Sequence, residues 1–170
     1  MSKEILGVSI SNLIAVAGVA AVAVIGTQMY ASSAVSNEAI FINQLANDAH
    51  SYASSDPDAT NITSANLIAA RRVPTNRLNS NGIIGKWAGT LSVVPNAINA
   101  ANDSFAISET VPSKECEMLV KQVEPSAHFI VIGGTAVKTF AGGMVANWAT
   151  QVTTLCNAQA QQLISFGYLK

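Results

Sequence analysis

No charged residue occurs between Glu4 and Glu38, and within that interval Val8 to Tyr30 reads VSISNLIAVAGVAAVAVIGTQMY. As a helix rising about 1.5 Å per residue, this run is long enough to cross a hydrocarbon core roughly 30 Å thick. The sequence therefore predicts a transmembrane helix over 8–30, apolar all round and suited to lipid or to other helices. The run does not stop where a simple anchor would. The following ASSAVSNEAIFINQLANDAHSYASS holds neither proline nor glycine, and Val35, Ile42, Leu45, Ala49 and Tyr52 recur at three- and four-residue steps. That spacing makes an apolar stripe, with Asn37, Glu38, Asn43, Gln44, Asn47 and Asp48 largely away from it. One helix over 8–53 is expected, its second half wanting a globular partner along one face.

Roughly 115 residues follow, enough for one domain with a real core and no second one. The chain carries 9 basic and 10 acidic residues, a net charge of -1, and no basic tract that would argue for nucleic acid. Only 11% of residues are charged, and Asn, Ser, Thr and Gln supply much of the polarity. Copies of such a surface repel each other weakly, which suits dense homotypic packing. Cys116 and Cys156 are the two cysteines. In a chain with an exported look they read most simply as one disulfide, against two free buried thiols. Closing a loop of about 40 residues stabilises the fold by roughly 4 kcal/mol on a chain-entropy estimate.

Along the globular part, Ser54 to Asn61 is a turn cluster with Pro57 as breaker. Ser64 is a candidate cap for a short helix through SANLIAARR, and VPTNRLNSNG then reads as loop. Arg71, Arg72 and Arg77 form the only basic cluster, read as a subunit contact or a solvated surface rather than a polyanion site. Strands are expected near Trp87 to Val94 and from Phe105 through Ile107 to Glu109, pairing antiparallel. Pro112 to Val123 reads as a helix with Ser113 as cap and Cys116, Leu119, Val120 and Val123 on one face. Phe129 to Ile132, Gly133-Gly134 and Thr135 to Phe140 form a hairpin. Val145 to Leu155 is ambiguous between helix and irregular structure, and Leu163 to Leu169 is a closing strand.

Chemistry is hard to find. His50 and His128 lack sequence neighbours that suggest a dyad or metal cluster, and two cysteines with distant histidines supply no zinc spacing. There is no G-x-S-x-G elbow, and GGTAVK lacks the spacing and the hydroxyl residue of a Walker loop. Glu115 and Glu117, two apart on a helix, do not converge as an acid–base pair. The expectation is no enzyme, no cofactor and no metal.

The amino terminus bears on processing. MSKEILG is a short hydrophilic segment ending at Gly7, and cleavage there leaves the apolar run in the mature chain, whereas a cut near Ala31 removes it. The leader, the apolar run from Val8, its amphipathic extension and the carboxy-terminal cysteines together resemble type IV pilins. DSFAIS, VPSKECEMLV, TTLCNA and the closing QQLISFGY are similar to the type IVb group of bundle-forming and toxin-coregulated kinds, so the likeness covers nearly the whole chain.

The resemblance implies an α+β type IV pilin fold, with a long N-terminal helix packed on a C-terminal antiparallel sheet. Residues 1–7 are then a leader, 8–53 the helix (filament-core half 8–30, amphipathic half 31–53) and 54–170 the head. It implies an inner-membrane prepilin cut after Gly7 by a prepilin peptidase and N-methylated at Val8. Where the family usually has a glutamate five residues into the mature chain, this sequence has Asn12, which can accept a hydrogen bond but cannot pair with a terminal amine as an ion. Gly18 and Gly26 are places for close helix approach or local loosening. The implied partners are further copies in a helical filament, minor pilins, and an inner-membrane assembly platform with a separate ATPase. The implied role is a surface fimbrium serving adhesion, aggregation or conjugative contact. The rivals are a minor pilin or type II secretion pseudopilin, favoured by Asn12, a membrane-anchored periplasmic binding module that does not polymerise, and a secreted enzyme freed near Ala31.

Overall fold

An apolar stripe unbroken by proline or glycine gives helix α1, residues 33–53, in the computed structural model, which describes residues 33–54, 60–97 and 103–170. Its inner face buries Val35, Ala39, Ile42, Leu45, Ala46, Ala49 and Ala53 in the core of the unit formed by Val35–Lys170. Small alanines alternate with branched side chains along it, which lets the helix lie close to a sheet. Tyr52 sits half-buried at the edge of the stripe. Glu38, expected on the outer face, is fully buried.

The expected transmembrane helix needs correcting. No helix among the described residues is long and apolar enough to cross a membrane. The described helix is one-sided, with exposed Asn37, Gln44 and Asn47 opposite its stripe. The interval 8–30, on which the expectation rested, lies outside the described residues, as does the leader 1–7.

After α1 come helix α2 (Ser64–Ala69), a 3-10 turn (Thr75–Arg77) and strands β1 (Leu78–Asn79), β2 (Gly82–Ile84), β3 (Thr90–Asn96) and β4 (Ser104–Pro112). Helix α3 (Ser113–Val123), strands β5 (Phe129–Ile132), β6 (Thr135–Thr139) and β7 (Gly143–Met144), helix α4 (Trp148–Cys156) and strand β8 (Gln161–Leu169) complete the order. Among the described residues the strands pair antiparallel in one sheet, β1-β2-β3-β4-β8-β5-β6-β7. The carboxy-terminal strand thus lies at the centre, in register with β4 from Ser104↔Leu169 to Pro112↔Gln161 and with β5 from Phe129↔Gly167 to Ile132↔Ile164.

Several local expectations shift. Thr63, not Ser64, caps α2, its side chain accepting from the Asn66 N–H at 3.2 Å. The Ser64 hydroxyl instead accepts the Val93 N–H at 2.7 Å and ties α2 to β3. The region expected as loop forms the β1–β2 hairpin. Strand β3 begins at Thr90 and runs through Pro95, because β2 pairs only with Thr90 and Leu91 and leaves that later edge open, where proline is tolerated. Ser113 is the first residue of α3 and caps nothing by side chain; its N–H goes to the Ala160 carbonyl. Gly133 and Gly134 take left-handed backbone, as a two-residue hairpin turn requires. The ambiguous 145–155 interval resolves largely as helix α4.

Candidate functional site

Cys116, at the start of α3, and Cys156, at the end of α4, form a disulfide with Cα atoms 5.5 Å apart. Both are buried, and Glu117 adds a second tie between these helices. Its carboxylate accepts from Lys121 Nζ at 2.6 Å and from the Thr153 hydroxyl at 3.0 Å. Those hydrogen bonds hold it below the ordinary carboxyl value. The other end of α3 is fixed by Lys138, whose Nζ donates to the Glu124 carbonyl at 2.8 Å and to its carboxylate at 2.7 Å.

The three arginines do not act together. Arg71, in left-handed backbone, and Arg72 are exposed after α2. Arg77 turns inward: its Nη1 lies 2.7 Å from Glu38 Oε2, and its guanidinium carbon stands 4.2 Å above the Phe41 ring. Gly7, Val8, Asn12, Gly18 and Gly26 lie outside the described residues.

Arg77 closes a charged cluster in the interior. Glu38 arrives from α1, Arg77 from the 3-10 turn and Glu109 from β4, and both carboxyls are fully buried. Burial, then the charge of Glu38 and its hydrogen bond, push the Glu109 carboxyl up to about 8. Arg77 and the Lys86 backbone N–H act more weakly the other way. Glu109 fits there because residue 85 is glycine: a Cβ at Gly85 would overlap the Glu109 carboxyl. The sequence does signal this site, since Phe105, Ile107, Glu109 and Val111 share one parity on β4 and the other three are core residues.

Both histidines lie near the carboxy-terminal strand. His50 stands edge-on to Phe105 at 5.4 Å, Phe105 stacks on Tyr168 at 5.5 Å, and His128 Nδ1 accepts from the Leu169 N–H at 3.5 Å. Burial first, and His128 second, lower the pKa of His50. Among the described residues no group of three or more His, Cys, Asp or Glu side chains could hold a metal.

The sheet face away from α1 is studded with small side chains. Val94, Ala106, Gly167 and Phe129 occupy one cross-strand row, with the Phe129 ring lying over Gly167. The Ser108 and Ser165 hydroxyls meet at 2.7 Å in the next row. Beside them a groove of about 310 Å³ is lined by Asn96, Phe129, Val131, Ala136, Lys138 and Phe140. Val94, Phe140, Met144 and Leu163 are exposed around this part of the surface, and Ile40 is exposed on α1.

Comparison with known proteins bears on this arrangement. A family model described as PilS N terminal matches residues 32–167. No curated protein matches the sequence. Among solved structures, a type IV b pilin from Salmonella typhi is similar at 19% identity and a TM-score of 0.59, covering 79% of this chain and 99% of that one. TcpA, a type IV pilin from Vibrio cholerae El Tor biotype, is similar at 19% identity and a TM-score of 0.52, covering 81% of this chain and 96% of that one.

Proposed function

We propose, from the premise that the chain belongs to the PilS N-terminal family and is a type IVb pilin, that it polymerises as a structural subunit of a surface pilus used for adhesion, bacterial aggregation or conjugative contact. The observation that carries this reading is the continuity of the chain. An uncharged interval, 8–30, leads directly into α1, whose inner stripe is already committed to the sheet. The apolar interval is thereby free to serve contacts between copies, and burial of its side chains in a filament core stabilises assembly without chemistry in the subunit.

On this reading residues 1–7 are a leader removed after Gly7 by a prepilin peptidase, Val8 is the methylated first residue, and 54–170 is the outward head. Asn12 accepts a hydrogen bond from a neighbouring amine, and Gly18 and Gly26 permit close approach of helices. Arg71 and Arg72 are available for contacts between heads. Arg77 contributes only indirectly, because its charge is matched by Glu38. The subunit is held at the inner membrane before a platform with a separate ATPase extrudes it, and minor pilins join the filament. A second reading, as a minor pilin or secretion pseudopilin, is favoured by Asn12 alone, since it removes the ion pair that would neutralise a buried terminal amine.

Intact mass of material sheared from the cell surface tests the proposal. A species beginning at Val8, heavier by one methyl group and with its cysteines bonded, is expected in abundance. Trace amounts within filaments of another subunit would favour the minor pilin. Recovery only from the membrane fraction with Met1 to Gly7 attached would overturn the filament reading and leave a binding module that does not polymerise.

A further inference from the structure

The β1–β2 hairpin is weakly joined to the rest of the sheet, in register with β3 only at Ile83↔Leu91 and Ile84↔Thr90. Ile83 anchors it in the core, and a largely buried polar cluster reinforces it. Arg77, immediately before β1, reaches Glu38 on α1 and also donates to the Ile84 carbonyl at 3.5 Å. Gly85, immediately after β2, receives the Glu109 carboxyl of β4.

Among the described residues no other charge is seen to enter this pocket. The cross-strand neighbours of Glu109 are Leu91 on β3, by the sheet register, and Ile164 on β8. Helix α2, SANLIA, carries no charged residue. On α3, Glu115 and Glu117 pair with Lys114 and Lys121 of their own helix. Lys86 offers its backbone N–H, while its side chain is exposed. Two carboxyls therefore face one guanidinium. With both ionised the pocket holds one excess negative charge away from water, which is expensive. The Lys86 N–H is only a weak contact, and no donor reaches either oxygen of Glu109 or of Glu38 with full hydrogen-bond geometry, so two ionised carboxylates would also leave bare acceptors in the core. A protonated Glu109 removes the excess charge and turns one bare acceptor into a donor toward Glu38.

We propose that Glu38, Arg77 and Glu109 form a proton-loaded latch, in which neutral Glu109 donates to the Glu38 carboxylate, Arg77 balances it, and loss of the Glu109 proton at alkaline pH releases the β1–β2 hairpin from α1 and β4. The reaction is a simple proton transfer to water or hydroxide. The latch is a property of this fold and does not depend on whether the subunit polymerises.

Trypsin cleavage of the full-length chain in detergent micelles reads the latch directly. Cleavage after Arg77 requires the hairpin to open, whereas exposed Arg71 and Arg72 report the protease's own pH response. The ratio of cleavage after Arg77 to cleavage after Arg72 should rise about tenfold from pH 7 to pH 9 in the wild type, following the open population. In Glu109→Gln, which keeps the shape and cannot ionise, the ratio should stay constant. A constant ratio in the wild type, or an equal rise in the variant, overturns the proposal. Should the variant not fold, carbon-13 spectra of the wild-type glutamate carboxyls decide. One carboxyl titrating well above the rest supports the latch, and all of them titrating below about pH 6 sinks it.

Discussion

Gly167 and Phe129 offer a quantitative test of how the outer sheet face is built. A Cβ at position 167 would fall inside the Phe129 ring, so Gly167→Ala must drive the ring off the sheet. Phe129 is half-buried and faces outward, so it has room to swing. The cost is then the ring's contact rather than a collapse of the core. A half-buried phenyl covers on the order of 100 Å² of apolar surface, worth about 2.5 kcal/mol at roughly 25 cal/mol per Å². Phe129→Ala forfeits the same contact and should cost about as much. Because both substitutions remove one shared interaction, the double variant should cost about 2.5 kcal/mol as well, not about 5, a coupling of about 2.5 kcal/mol in a double-mutant cycle. Urea unfolding of the four proteins, followed by far-ultraviolet circular dichroism, measures it. Additive losses would refute the argument, since they would mean that the ring and the glycine stabilise the sheet independently.

Other outcomes follow from the same geometry. Removing the Cys116–Cys156 bond, which closes a loop with a sequence separation of 40, should lower unfolding free energy by about 4 kcal/mol, read as a lower urea midpoint for Cys116→Ala/Cys156→Ala. Glu109 binds its proton more tightly folded than unfolded, so its contribution is fully present below the ordinary value of 4.5 and is lost as pH rises to about 8. That displacement of roughly 3.5 pH units is worth up to about 5 kcal/mol, and a wild-type stability that increases between pH 5 and 8 would contradict it. Arg77→Met leaves the buried Glu38 carboxylate without its counter-ion and should cost about 3 kcal/mol at pH 7, measured by urea unfolding. Glu38→Gln in that background should recover part of the loss.

Local pattern made much of the fold legible. The unbroken stripe of α1, the Gly133-Gly134 turn and the apolar face of α3 depend on neighbours in sequence, and the structure keeps all three. The expected disulfide is also present. What the pattern missed depends on residues far apart. Glu38 looks solvent-facing on a helical wheel because periodicity places side chains around one axis and cannot tell how wide a partner wraps it. Here the chain segment carrying Arg77 returns to cover that flank and brings the matching charge. Arg71, Arg72 and Arg77 looked like one basic surface for the converse reason: closeness in sequence hid the left-handed backbone of Arg71 and the 3-10 turn that carries Arg77 inward. Glu109 was legible in principle through its parity with Phe105, Ile107 and Val111, but a lone inward carboxyl makes sense only once its partners from two other elements are known.

The central place of β8 explains why so much of the stabilising detail sits where it does. Strand β8 joins β4 to β5, so the two halves of the sheet share no ladder until the nine residues of β8 are in place. Such a join is non-local and entropically costly to close, because β4 must wait for a strand some fifty residues away. The disulfide lies within that interval and holds the α3 start, which directly follows β4, close to the α4 end, which shortly precedes β8. It thereby shortens the effective loop that β8 must close from the whole 113–160 interval to a few residues at either side. The Ser113 N–H to Ala160 carbonyl bond sits at the mouth of the same loop. The crosslink thus acts on the register of the central strand as much as on the helices it joins, which gives a fold with few surface charges a covalent hold on its least local strand pairing.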